Sequence, residues 1–264
     1  MGGVGVAVSG GGVAVVVVHE LAIKIPIRKT KCEYFIFIGS FSFICSIKHY
    51  NPAMLSIVVQ AGGESSRMGE DKALKNFLGR PLIQRVVDRL APIADEIIVT
   101  TNRPDAYAFL NTSPSAVRLI PDLKPGRGAL GGLYTAIASA THPIVAVVAC
   151  DMPFASPRLI ETMSRLLVEE EADVVIAKSE EGYEPFHAVY RRETCLPAIE
   201  SAIAADQWKV IAWFPQVKVR VLAPIEIKSA DPDSLAFWNV NTPEEFARAE
   251  QLATSQSEPG TGHD

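Results

Sequence analysis

The feature that most constrains the fold of this chain is a regular alternation of two kinds of segment from residue 55 onward. One kind consists of short runs rich in β-branched residues, which read LSIVVQ, EIIVT, VRLI, IVAVVAC and DVVIAK. The other has apolar residues at helical spacing and reads PLIQRVVDRLAPIA, GGLYTAIASA and SPRLIETMSRLLVEEE. Uniformly apolar strands are typical of sheets covered on both faces. The alternation therefore predicts an α/β fold, a three-layer sandwich around a mostly parallel sheet.

The later segments complete one predicted domain at residues 54–254. PFHAVY and VKVRVL are interpreted as further strands, and RETCLPAIESAIA and TPEEFARAEQLA as helices. Ser156 and Thr242 have side chains that cap helix N-termini, and each precedes a proline where a first helical turn tolerates it. Ligands of parallel sheets bind beyond the carboxyl ends of the strands, so the loops at that edge are the candidates for a site.

The first 53 residues do not resemble the rest of the chain. Two apolar runs, MGGVGVAVSGGGVAVVVV and YFIFIGSFSFICSI, flank the basic stretch KIPIRKTK. Both are short or poor for a membrane-spanning helix, which needs about 20 predominantly apolar residues. The order of the charged and apolar parts is wrong for a signal peptide. We expect residues 1–53 to be a mis-assigned start ahead of Met54 or a disordered extension, with a membrane anchor as the disfavoured alternative. The polar segment 255–264 is expected to be a disordered tail.

Charge and cysteine usage exclude two classes of protein. The net charge of −5 argues against a general nucleic-acid binder, which would carry a basic excess. The four cysteines, Cys32, Cys45, Cys150 and Cys195, show no CxxC spacing. They indicate neither a zinc site nor a disulfide framework, and they fit a reducing cytoplasm.

The loop after the first predicted strand reads QAGGESSRMGEDKAL. Gly62 and Gly63 let the backbone approach a ligand closely, and Arg67 and Lys72 supply positive charge for a phosphate. An ordinary strand-to-helix turn has only about two to six residues, so a plain turn is a poor explanation. The loop is not a Walker A motif, because no GK[ST] follows its glycines at the required spacing.

A second loop, IPDLKPGRGALGG, contains GxGxxG at Gly126, Gly128 and Gly131, and Asp151 follows about 20 residues later, as in dinucleotide-binding proteins. That fingerprint requires its first glycine directly after a strand, whereas residues 122–125 intervene here. We therefore interpret these glycines as a wall over a planar base or a phosphate.

Two further loops carry polar side chains. Asp151, in VAVVACDMPF, follows a hydrophobic strand and is suited to hold Mg²⁺ against phosphate oxygens, although a turn-forming aspartate fits equally well. Asn239 and Asn241, in FWNVNTPEE, face one side of an extended segment. A turn before the last helix is the alternative, which suits Asn241 better than Asn239. The lone strand histidine, His187, is interpreted as structural.

Together the four loops resemble those of the molybdenum cofactor guanylyltransferases, within the nucleotidyltransferase superfamily. The family signature AGG, a stretch with serine, RMG and DKAL matches residues 60–74, although Gln60 stands where the family usually has leucine. The likeness continues through TNR, PD, the glycine segment, CDMPF and NVNTPEE, and it covers residues 55–252. It implies a glycosyltransferase-A-like nucleotidyltransferase domain with a Rossmann-like sheet.

The resemblance implies transfer of GMP from GTP to the terminal phosphate of molybdenum-loaded molybdopterin, with Mg²⁺ as cofactor and release of pyrophosphate. It implies that Arg67, Lys72 and Asp151 are catalytic, that Asp151 holds the metal, and that Asn239 and Asn241 bind the pterin. Apoproteins of molybdoenzymes or their chaperones are the implied protein partners. The GTP-binding residues that it implies are Gln60, Ala61, Gly62, Gly63, Lys72, Asn102, Asp122 and Asp151.

Three other functions compete with this one. A cytidylyltransferase acting on molybdopterin or on a sugar or polyol phosphate is the nearest alternative; such relatives usually have AAG where this chain has AGG, and Gly62 leaves more room for a purine. A non-catalytic nucleotide-binding regulator would have lost the lysine or the metal carboxylate, and Lys72 and Asp151 are both present. A dinucleotide-dependent oxidoreductase is disfavoured by the position of the glycine loop.

Overall fold

The computed structural model describes residues 5–9, 13–18, 21–26, 34–38, 41–45, 54–61, 71–112, 116–179 and 182–257 of the 264-residue chain. Side chains are described within residues 54–61, 71–111, 116–179 and 182–255. Contacts divide the chain into two units, Met1–Asn51 and Pro52–Asp264.

The first unit contains two small antiparallel arrangements. Strands β1 (Gly5–Ser9), β2 (Val13–Val18) and β3 (Leu21–Pro26) form a three-stranded sheet, and β4 (Tyr34–Ile38) pairs with β5 (Phe41–Cys45). The interpretation of residues 1–53 as a mis-assigned start or an extension stays a prediction.

The second unit is built around a seven-stranded sheet with the order β10-β9-β6-β11-β15-β12-β16. Strand β15 runs antiparallel to β11 and β12, and the other neighbouring strands are parallel. This confirms the predicted mostly parallel sheet. The strands of the unit are β6 (Leu55–Gln60), β7 (Asn76–Phe77), β8 (Arg80–Pro81), β9 (Glu96–Thr100), β10 (Val117–Ile120), β11 (Ile144–Ala149), β12 (Val174–Ile176), β13 (Lys178–Ser179), β14 (Gly182–Tyr183), β15 (His187–Arg191) and β16 (Val219–Val221).

Helices cover both faces of this sheet. Residues of α1 and α3 pack in one hydrophobic cluster, and residues of α2 and α4 pack in another on the opposite face. The α-helices are α1 (Leu82–Leu90), α2 (Gly128–Ser139), α3 (Pro157–Glu169), α4 (Arg192–Ala204), α5 (Pro224–Ala230) and α6 (Pro243–Ser257). Short 3-10 helices lie at Lys72–Leu74, Ala91–Ile93, Pro104–Thr112 and Phe214–Gln216.

Strand β6 shows why the sheet needs cover on both sides. Ile57 and Val59 pack with the α1 and α3 layer, whereas Val58 between them packs with the α2 and α4 layer. All three are fully buried. Because side chains of a strand alternate between faces, a strand apolar at every position is stable only inside such a sandwich.

The structure departs from the sequence-based boundaries in several places. Helix α2 begins at Gly128, three residues before the predicted helix, and α6 ends at Ser257, beyond the predicted domain end at 254. The hairpins β7–β8 and β13–β14 were not predicted, because strands of two residues carry no readable periodicity. Helix α5, of seven residues, was also not predicted. Within the described part of the chain, no helix has the length and apolar character needed to cross a membrane.

Candidate active site

The predicted functional loops begin at one edge of the sheet, where backbone hydrogen bonds join neighbouring strand ends. The Ala61 N–H donates to Thr100 O at 2.9 Å, and the Cys150 N–H donates to Gln60 O at 3.0 Å. One strand further, the Thr101 N–H donates to Ile120 O at 2.9 Å. The carboxyl ends of β10, β9, β6 and β11 are therefore in register, and the loops leave them side by side.

The first loop is described only at its two ends. Gln60 and Ala61 are half-buried at the end of β6, whereas the predicted residues Gly62, Gly63 and Arg67 lie outside the described residues. The Gln60 side chain lies against α2, where a Cβ at Gly132 would come within 3.0 Å of Gln60 Nε2. A glycine at position 132 therefore makes room for the side chain that replaces the usual leucine of the family.

Asp71 organises the far end of this loop. Its carboxylate accepts hydrogen bonds from the Tyr107 hydroxyl at 2.6 Å and from the Ala73 N–H at 3.1 Å, and it forms an ion pair with Arg103. Burial raises the pKa of Tyr107 well above its usual value, and the bond to Asp71 adds to the rise. The phenol thus stays a donor and fixes the turn that carries Lys72.

Sequence reasoning missed this cluster as a part of the site. Asp71 and Arg103 lie inside the quoted motifs DKAL and TNR, but their pairing joins residues 32 positions apart. The only signal was the aspartate directly before the expected phosphate lysine.

Lys72 connects the loop after β6 with the Asn239–Asn241 segment. Its Nζ donates to Asn241 Oδ1 at 2.8 Å, across 169 residues of sequence. The Asn241 N–H in turn donates to Glu245 Oε2 at 2.6 Å, and the Glu245 N–H donates to Thr242 Oγ1 at 3.1 Å. This confirms Thr242 as the cap of α6, and the cap holds Asn241 in place.

Asp151 lies at the end of β11, half-buried, and its carbonyl accepts the Val240 N–H at 3.0 Å. Burial raises the pKa of Asp151, while the positive charge of Lys72 opposes the rise. A carboxylate that is costly to ionise in its free site gains from a bound cation.

The side chains that could ligate a metal ion limit the kind of metal site that can form. Among the residues with described side chains, no three His, Cys, Asp or Glu residues are grouped closely enough to hold a metal ion by themselves. Mg²⁺ is commonly held by one or two carboxylates together with substrate phosphates and water. Asp151 therefore fits an ion that arrives with a polyphosphate and does not fit a closed structural metal site.

The second loop is pinned by Asp122. Its carboxylate accepts the Lys124 N–H at 2.9 Å and the Thr135 hydroxyl at 2.6 Å, and its own N–H donates to Asn102 Oδ1 at 2.9 Å. The glycine segment that follows packs so closely that a Cβ at Gly131 would lie 2.6 Å from Lys124 O. The predicted residues Asn102 and Asp122 are thus brought together, and hydrogen bonds and close packing fix the course of the loop.

The remaining polar candidates differ in role. The Asn239 amide donates to Phe237 O at 3.4 Å, a local contact, whereas Asn241 reaches Lys72. His187 is fully buried, its Nε2 accepts the Ser156 N–H at 3.1 Å, and burial lowers its pKa to about 4. A neutral histidine inside the core is structural, as the sequence indicated.

The fold, with polar loops at the carboxyl ends of its parallel strands, is that of the α/β nucleotidyltransferase class of enzymes. The chain belongs to the family of MobA-like NTP transferase domains, whose family model matches residues 57–218.

Individual relatives agree with this membership. The chain is 35% identical over 194 residues to a molybdenum cofactor guanylyltransferase of Desulfosudis oleivorans, covering 73% of this chain and 93% of the relative. It is 33% identical to a probable molybdenum cofactor guanylyltransferase of Peptoclostridium acidaminophilum, covering 78% and 92% of the two chains. The solved structure of molybdopterin-guanine dinucleotide biosynthesis protein A from Archaeoglobus fulgidus has the same fold, with a TM-score of 0.65, 24% identity, and coverage of 76% and 99%.

Proposed function

We propose that this protein transfers GMP from GTP to the terminal phosphate of molybdenum-loaded molybdopterin, forming molybdopterin guanine dinucleotide and releasing pyrophosphate. The observation that carries the proposal is the match over 93% of the length of a relative named molybdenum cofactor guanylyltransferase. The names of the relatives favour this reaction over cytidylyl transfer.

The chemistry suits the residues at the edge of the sheet. A terminal phosphate oxygen of the acceptor forms a bond to the α-phosphorus of GTP, and the bond from that phosphorus to the bridging oxygen of pyrophosphate breaks. A phosphate monoester is already ionised at neutral pH, so catalysis reduces to alignment and charge stabilisation without a general base.

We assign the roles at the nucleotide as follows. Lys72 binds the GTP phosphates, and Arg67 supplies further positive charge from the same loop. Asp151 holds Mg²⁺, which when bound supplies charge stabilisation to phosphate oxygens. The backbone of residues 60–63 and the side chains of Asn102 and Asp122 contact GTP.

The acceptor lies on the other side of Lys72 in this proposal. Asn241 contacts Lys72 Nζ, so a pterin bound beside Asn239 and Asn241 would bring its phosphate to the same lysine that binds GTP. Val240, between these asparagines, is bonded through its N–H to the Asp151 carbonyl. This backbone bond supports the proposal, because it ties the Asn239–Asn241 segment to the residue that we assign to the metal.

We also propose that the reaction takes place in the cytoplasm, since four cysteines without a disulfide framework fit a reducing compartment. The product would then be delivered to apoproteins of molybdoenzymes or to their chaperones.

Pyrophosphate release tests the proposal. The protein would be given Mg²⁺ and molybdenum-loaded molybdopterin with either GTP or CTP. GTP-selective release is expected. CTP-selective release would place the protein among cytidylyltransferases, and no release with either nucleotide would refute transfer to molybdopterin.

A further inference from the structure

A basic pocket on α1 is separate from the loops of the active site. It has a volume of about 400 Å³. None of its lining residues belongs to the loops that follow β6, β9, β10 or β11. The pocket is lined by Phe77, Leu78, Arg80, Arg85, Asp88 and Arg89.

The charge of this pocket is unbalanced. It has three guanidinium groups and one carboxylate, and that carboxylate is already engaged. Asp88 accepts hydrogen bonds from Arg80 at 3.3 Å and from Gln84 at 2.7 Å. Within the described part of the chain, neither Arg85 nor Arg89 forms an ion pair with a carboxylate.

Arg85 is the group most in need of a partner. Its Nε is buried and has no hydrogen-bond partner among the described residues. The guanidinium lies over the Phe77 ring, 5.1 Å from the centroid. Burial lowers the pKa of Arg85, and the nearby charge of Arg89 lowers it further. Two like charges held close together in a partly desolvated pocket are stabilised by an anion placed between them.

Arg89 is held in position by the protein. Its Nε donates to Ala155 O at 2.7 Å, which anchors the side chain and leaves its terminal nitrogens for a ligand. Burial lowers the pKa of Arg89, and the negative charge of Asp231 opposes this decrease. Asp231 and Arg89 both line a neighbouring smaller cavity. An anchored guanidinium loses less conformational freedom on binding than a free one.

We propose that this pocket is a second binding site, which takes the phosphate group of a small phosphate ester. Arg85 and Arg89 hold the phosphate oxygens, and Arg80 lies at the rim. The volume is that of a small-molecule site. The exposed Leu78 provides an apolar wall for the rest of the ester, next to the buried Phe77 ring over which Arg85 lies.

Calorimetric titration with phenyl phosphate tests the proposal. The full chain would carry Lys72→Ala and be kept free of divalent cations, so that phosphate binding at the active site is weakened. One binding event per chain is expected. Arg85→Gln or Arg89→Gln should weaken it by about tenfold or more, because each removes charged hydrogen bonds to the phosphate.

The matched control is Arg165→Gln, which removes an arginine paired with Glu169 on α3 and should leave the affinity unchanged. Arg89 is exposed, so its variant keeps the test valid if Arg85→Gln fails to fold. Absence of binding, or equal affinity in all three variants, would overturn the site. A glutamate-rich peptide that binds more tightly than phenyl phosphate, and loses its affinity in the same variants, would instead assign the pocket to an acidic protein partner.

Discussion

The two halves of the proposed active site, which we name the nucleotide half and the acceptor half, are built differently. The nucleotide half, formed by β10, β9, β6 and β11 with the loops at their ends, is entirely parallel. The acceptor half, as we name it, is the Asn239–Asn241 segment ahead of α6, which lies outside the strands and is joined to the nucleotide half by the bond from the Val240 N–H to Asp151 O and by the bond from Lys72 to Asn241. Repeated parallel units bring their loops to one edge by local rules, whereas the acceptor half depends on contacts between distant residues.

Polar contacts complete each half. In the nucleotide half, Asp71 and Asp122 each accept a backbone N–H from two residues further along the chain, and each also accepts a more distant side-chain hydroxyl, from Tyr107 and Thr135 respectively. In the acceptor half, Asn241 is placed by its bond to Lys72, 169 residues away. Damage to the first half should therefore affect nucleotide binding and chemistry, and damage to the second should affect the acceptor.

The largest expected effect is at Asp151. Asp151→Asn should lower transfer by about a thousandfold or more, because it removes the charged metal ligand from the nucleotide half. Pyrophosphate release with Mg²⁺ measures the loss, and the thermal midpoint should not fall. Asp105→Asn, at an exposed aspartate of the 3-10 helix Pro104–Thr112, is the control. Substantial Mg²⁺-dependent turnover in Asp151→Asn would remove this residue from the mechanism.

Lys72 belongs to both halves, so its loss should affect both substrates. Lys72→Ala is expected to weaken GTP binding by about tenfold to a hundredfold, since a charged contact to the phosphates is lost. It should also raise the KM for the acceptor, because Asn241 loses its partner. Equilibrium binding of GTP and steady-state kinetics separate the two effects. A variant that unfolds would point to a structural role for this lysine.

Asn241→Ala tests whether the halves are separable. The KM for molybdenum-loaded molybdopterin should rise by about tenfold, the size of a lost hydrogen bond to a charged group, while GTP affinity changes little. Asn239→Ala is the comparison within the same segment, because the Asn239 amide donates to the nearby Phe237 O at 3.4 Å, whereas Asn241 contacts Lys72. A larger loss of GTP affinity than of acceptor affinity would break the proposed division.

The last prediction concerns the pH dependence of folding stability, which should have the smallest effect on activity. The pKa of His187 is lowered from 6.5 to about 4 in the folded protein. The unfolded chain therefore binds a proton that the folded chain does not, and stability should decrease as pH falls from about 6.5 to about 4. His187→Gln keeps an acceptor for the Ser156 N–H and should show a shallower decrease in chemical unfolding experiments. Parallel curves for the two proteins would contradict the assignment.

The sequence predicted elements that follow local rules better than it predicted contacts between distant residues. β-Branched runs such as LSIVVQ and EIIVT predict buried parallel strands. The helix caps Ser156 and Thr242 accept backbone N–H groups from three residues further along the chain, so they also follow from local sequence. The cluster of Asp71, Arg103 and Tyr107 needs the fold before its members meet, and so does the bond between Lys72 and Asn241. In a single sequence, neither the type nor the spacing of these residues indicates that they are in contact.

The start of α2 shows a second limit. GRGALGG reads as a loop because glycine disfavours helices, yet α2 begins at Gly128. Tertiary packing overrides this preference, since Gly131 and Gly132 are required for the close approach of Lys124 and Gln60. The roles of all the predicted site residues stay predictions, and those within 62–70 also lie outside the described part of the chain.

The most direct test of the account is to follow the phosphates of GTP. The protein would be incubated with Mg²⁺, molybdenum-loaded molybdopterin and GTP labelled at either the α- or the γ-phosphate, and the products separated. Guanylyl transfer predicts that the α label appears in the pterin dinucleotide and the γ label in pyrophosphate. Label from the γ-phosphate in the pterin product, or in free phosphate with GDP as the other product, would contradict it.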